Sequence, residues 1–107
     1  MRLKNSSVVF DVRAPLLYAL WRIEIVMAPL GDVILTSVND GHHMPQSLHY
    51  RGMAADFRSK HLAQNQKLQV IFKLKSVLGP DYDVLLENEG KDNEHFHVEF
   101  DPKMKVA

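Results

Sequence analysis

"NEHFHVEF", Asn93–Phe100, is the stretch on which the fold turns. Side chains alternate along an extended chain. Phe96, Val98 and Phe100 therefore share one face of a strand, and His95, His97 and Glu99 share the other. The apolar face calls for helices packed against it. The polar face carries imidazoles, which a strand does not need for its stability. Five of the six histidines, His42, His43, His49, His95 and His97, lie either here or between positions 42 and 49.

Working outward, "EGKDN" is a polar turn and "YDVLLEN", Tyr82–Asn88, is a strand, so the chain closes on a hairpin. "HLAQNQKLQVIFKLKSVLG", His61–Gly79, reads as a helix. Leu62, Leu68, Ile71, Leu74 and Leu78 form its apolar stripe, and Gly79-Pro80 stops it. "AADFR", Ala54–Arg58, is a short strand, and "VILTSV", Val33–Val38, is β-branched and apolar, another strand. The loop "NDGHHMPQS" lies between them, rich in turn residues. Residues 14–28 read as a first helix. Pro15 suits the first turn and Asp11 can cap nearby. Leu16, Leu17, Leu20, Ile23 and Met27 recur at helical spacing, and Pro29 and Gly31 end it. The order predicts an α+β fold: a small, mostly antiparallel sheet with two packing helices, and a second sheet face free for the histidines.

The 107 residues fit one domain, 1–107, and 46% hydrophobic content suffices for a core. The formal charge is zero and the sequence pI is about 7.0, which gives no argument for nucleic acid or an anionic membrane as partner. There is no cysteine, so disulfides, thiolate metal sites and thiol nucleophiles are excluded. The most apolar segment is broken by Arg22 and Glu24 and is too short to span a bilayer. The N-terminal apolar run is too short for a secretory signal. A monomer made in the cytoplasm is expected.

Upstream, "SLHYRGMAADFR", Ser47–Arg58, sets His49 seven positions before Asp56, with Gly52, Ala54 and Ala55 small enough for close approach. Histidine nitrogen and carboxylate oxygen are good zinc ligands, and catalytic zinc keeps three protein ligands and an open position for water. His49, Asp56 and His97 supply such a set on one sheet face. A His and an Asp at this spacing also occur together by chance. An H-x-H on a strand can be a surface pair, and His42-His43 fits a solvated turn. Only the conjunction with "EHFH" lifts the zinc reading above these.

"SLHYRGMAADFR" resembles the S-x-H-x-x-G-x-A-x-D signature of the D-alanyl-D-alanine carboxypeptidase and L-alanyl-D-glutamate endopeptidase family, small zinc peptidases that include phage endolysins. "EHFH" is similar to its E-x-x-H, and "ILTS" to the strand before its first active-site loop. The resemblance runs from about Ile34 to Phe100. It implies zinc held by His49, Asp56 and His97, a general base at Glu94, a loop-supporting role for Ser47, and a peptidoglycan stem peptide as substrate. With no signal in the sequence, three routes stay open: release by a phage holin, action in the cytoplasm, or a missing N-terminal piece. Metallopeptidases with H-x-H on the same fold make His95 a rival base. Glu94 is three positions from His97, so it reaches the metal only where the strand begins or bulges. One departure stands out: many members carry an arginine shortly after the T-S that Thr36-Ser37 matches, to stabilise the oxyanion, and none stands here. His43, Arg51 or Arg58 must replace it, His43 being the first choice, or the chain is a zinc-binding recognition or virion module that does not cleave.

Overall fold

The computed structural model describes residues 1–39, 49 and 51–102. Five strands form one sheet: β1 (Arg2–Leu3), β2 (Ile34–Ser37), β3 (Ala54–Arg58), β4 (Tyr82–Glu87) and β5 (His95–Phe100), in the order β1-β2-β3-β5-β4. Only β1 and β2 run parallel; every other neighbouring pair is antiparallel. The expected α+β architecture with a mostly antiparallel sheet is present. The two-residue β1 was not expected, since a strand this short carries no periodic signal.

Helix α1, Ala14–Met27, buries Leu16, Ala19, Leu20, Ile23 and Met27 on the sheet. Leu17, expected in that stripe, is exposed, and Ala19 takes the inward position. The N-cap is Arg13, with no side-chain cap, so Asp11 does not cap the helix. A single 3₁₀ turn, Ala28–Leu30, ends it at Gly31. Helix α2, Gln64–Leu78, buries Val70, Leu74 and Leu78, and Leu62 is buried just before it. Leu68, expected on that stripe, is exposed. It lies two residues before Val70, about 200° round the helix axis. Gln66 Oε1 accepts the Ala63 N–H at 2.9 Å and holds the first turn.

Both helices cover one sheet face. Phe57 on β3 and Phe96 on β5 are register partners, fully buried, with ring centroids 5.1 Å apart. Tyr82 at the start of β4 donates its hydroxyl to the Pro15 carbonyl at 2.8 Å, tying the outer strand to α1. No helix among the described residues is long and apolar enough to cross a membrane.

Candidate metal centre

Because Phe57 and Phe96 face the helices, their neighbours face away from them. Register then sorts the open face into rows. Asp56 pairs with His97, and His97 with Leu85; Arg58 pairs with His95, and His95 with Glu87; Ala54 pairs with Glu99, and Glu99 with Asp83. Residues some forty positions apart in the chain thus become neighbours.

His49, Asp56 and His97 come together as the sequence suggested. All three are buried, and each offers a ligand atom within 4.8 Å of the others. His97 Nδ1 lies 2.7 Å and His49 Nε2 3.4 Å from Asp56 Oδ1. Ligands at about 2.0–2.1 Å on a tetrahedral metal stand about 3.4 Å apart, so the set is near the spacing a zinc ion requires. The outer nitrogens supply a second line of support. His49 Nδ1 is 2.6 Å from the Val38 carbonyl, which can only accept, so this nitrogen carries the hydrogen and Nε2 is left facing Asp56. His97 Nε2 is 2.7 Å from Glu99 Oε1. Metal-binding imidazoles are oriented in this way, through a carbonyl or carboxylate on the far nitrogen.

Burial disfavours the Asp56 carboxylate, but hydrogen bonds to His49 and His97 outweigh it and hold the group below the ordinary carboxylate range. Burial pulls the His97 imidazole down, while Asp56 and Glu99 pull it up, and the net effect raises it to about 9. Without metal, His97 is an imidazolium between two carboxylates. A divalent ion would take the place of its Nδ1 proton.

His95 stands in the next row. Its Nδ1 donates to the Asn93 carbonyl at 2.8 Å, and its Nε2 is 2.9 Å from Glu87 Oε1 and 3.6 Å from Asp56 Oδ2. Glu94 points elsewhere. β5 begins only at His95, and Glu94 turns towards α2. Its Oε1 accepts from Ser59 Oγ and Lys67 Nζ, both at 2.7 Å, and its Oε2 accepts the Gly90 N–H at 2.9 Å. The Gly90 N–H, then Lys67 and Ser59, hold its carboxyl down to about 2. Glu94 is therefore an anchor between α2, β3 and the hairpin turn, and its contacts do not bring it to the trio.

Of the remaining candidates, His42, His43 and Ser47 lie outside the described residues. Arg51 is exposed. Arg58 lines a groove of about 420 Å³ with Lys4, Thr36, Lys60, Asp92, Asn93, Glu94 and His95. Lys60 is held near Asp92. Among the described residues, Arg58 and Lys4 have no acidic partner within ion-pair distance. Gly52 is required by the backbone: its φ is +71°, and a Cβ there would meet the Asp11 carbonyl oxygen at 2.6 Å. The small residue serves the chain segment entering α1 rather than a substrate.

Three supporting groups carried no role in the sequence reading. Glu99 was legible as a face-mate of His97, since alternation places it there. Glu87 emerges only from the β4–β5 register. Asn39 read as a turn residue, yet its Nδ2 donates to the His49 carbonyl at 2.8 Å and its N–H to the Val9 carbonyl at 3.0 Å. It holds the His49 turn against the segment before α1. No family model, curated protein or solved structure matches the chain.

Proposed function

We propose that the chain is a zinc-dependent peptidase that hydrolyses a peptide bond in peptidoglycan stem peptides, of the D-Ala-D-Ala or L-Ala-D-Glu type. The observation that carries this reading is the convergence of His49, Asp56 and His97, buried, with the outer nitrogen of each imidazole held by an acceptor. The metal class follows from the donor set: two nitrogens and one carboxylate oxygen suit zinc and leave a position open. The substrate class rests on the two-part motif resemblance.

Zinc, when bound, polarises the scissile carbonyl and acidifies water. The chain's residues do the rest. Asp56 stays ionised, held so by both imidazoles. Glu99 keeps the His97 ring oriented. His95 Nε2, facing Asp56 and Glu87, takes a proton from the attacking water as its oxygen adds to the carbonyl carbon. It returns that proton to the leaving amine as the C–N bond breaks, so the proton count closes. His95 is chosen over Glu94 by position: its Nε2 lies 3.6 Å from Asp56 Oδ2, whereas the Glu94 oxygens are held by Ser59, Lys67 and Gly90. Arg58 and Lys4, which have no acidic partner among the described residues, give the neighbouring groove the charge to hold a peptide carboxylate.

Defined muropeptides incubated with the zinc-loaded protein and analysed by mass should show cleavage at one peptide bond, abolished by chelation. Intact substrate at full zinc occupancy would favour a second reading, a zinc-holding recognition module. The engagement of Glu94 by Ser59, Lys67 and Gly90 is the observation on that side.

A further inference from the structure

We propose that Asp56 Oδ2, Glu87 Oε1 and His95 Nε2 form a second divalent-cation position next to the first, and that filling it switches the centre off. The inference rests on the proposed peptidase reading for its effect on turnover, but not for the binding itself. These three residues offer ligand atoms within 4.8 Å of one another, as the first set does. His95 also repeats the anatomy of His49: its Nδ1 hydrogen is committed to a backbone carbonyl, here that of Asn93, which leaves Nε2 as the inward-facing nitrogen. Against that nitrogen stand two carboxylate oxygens, at 2.9 and 3.6 Å. Acceptors do not approach one another in this way without a positive charge between them. A proton can supply it, and so can a metal ion.

Asp56 divides its oxygens between the two sets. Oδ1 faces His49 and His97, and Oδ2 faces His95. One carboxylate between two cations is the arrangement of paired metal sites, whose ions stand about 3.5–4 Å apart. A nitrogen and two carboxylate oxygens suit zinc or manganese. The second position must be the weaker one. Glu87 sits on the outermost strand with its side chain 42% exposed, so binding must order it, whereas the first set is buried. The first ion also repels the second across the shared carboxylate. Occupancy of the second position ties up His95 Nε2, the atom that moves the proton, so excess metal should inhibit.

The test is calorimetric titration of the metal-free wild-type protein with Zn²⁺, beside Glu87→Gln and His95→Asn, each checked for folding by circular dichroism. The wild type should bind two equivalents, the second at least tenfold more weakly. Both variants should keep the first step and lose the second, or weaken it tenfold or more. Muropeptide turnover by the wild type should rise to the first equivalent and fall through the second. A single wild-type step overturns this proposal and leaves the proposed function standing; no binding at all overturns both. A second step unchanged in both variants overturns the location, and turnover that holds steady through the second step overturns the switch. Glu87 and His95 lie on different strands, so misfolding of one variant leaves the other to decide.

Discussion

At Glu94 both carboxylate oxygens are occupied, while the adjacent His95 turns a nitrogen towards Asp56. The motif spacing E-x-x-H alone favours Glu94 as the base, and the contacts favour His95. Exchange experiments distinguish them: His95→Ala should keep one zinc and lose roughly a hundredfold or more in turnover, the range for a general base. Glu94→Gln should keep most turnover but lose about 3 kcal/mol of stability, because it strands the Lys67 ammonium beside a neutral group. The reverse ranking would return the base role to Glu94. Acid titration gives an independent check. The Glu94 carboxyl is lowered from 4.5 to about 2 in the fold, so its contribution is fully present above about pH 4.5 and lost as pH falls towards 2. Urea midpoints across that window should fall more steeply for wild type than for Glu94→Gln.

β5 shows what an element can reveal by itself. Alternation alone placed Phe96 and Val98 in the core and His95, His97 and Glu99 on the open face, because a strand's two faces are fixed by parity. Alternation says nothing about which residue of another strand lies opposite. The pairing of His95 with Glu87 depends on how the 88–94 turn closes, and the sequence leaves that open. Glu94 precedes the first residue of β5, where parity no longer applies, and which way its side chain turns could not be read from the spacing E-x-x-H. Helix periodicity fared less evenly, as Leu17 and Leu68 match the spacing but not the buried arc. Phe96→Ala should cost about 3–5 kcal/mol, since a fully buried ring would leave a cavity against Phe57. Gly52→Ala should cost about 1–3 kcal/mol through its positive φ and the Asp11 contact. It should also weaken zinc binding, because the Gly52 N–H closes the turn on the His49 carbonyl. Thermal melts and metal titrations check both, and an unchanged Gly52→Ala protein would refute the fitted-turn account.

Across the whole molecule, a metal ion held by the trio would link proton and fold through His97. Its imidazole is raised from 6.5 to about 9, so in metal-free protein its contribution is complete below about pH 6.5 and is lost as pH rises through 9. Melting in a chelator should therefore show falling stability between pH 7 and 10, and zinc should remove that fall. At pH 7 zinc must displace the Nδ1 proton, so titrations in buffers of different ionisation enthalpy should show about one proton released from this site. No release would mean that His97 is not a ligand. The β3–β5 register, finally, bears on how such a centre can be lost over generations. A slip of one residue would send the imidazoles into the core and the phenylalanines into water, because parity exchanges both faces at once. Insertions and deletions in these strands would therefore be purged with the fold itself. Point substitution at His49, Asp56 or His97 spares the core, so descendants in which this trio has been given up should keep the scaffold and differ at single codons.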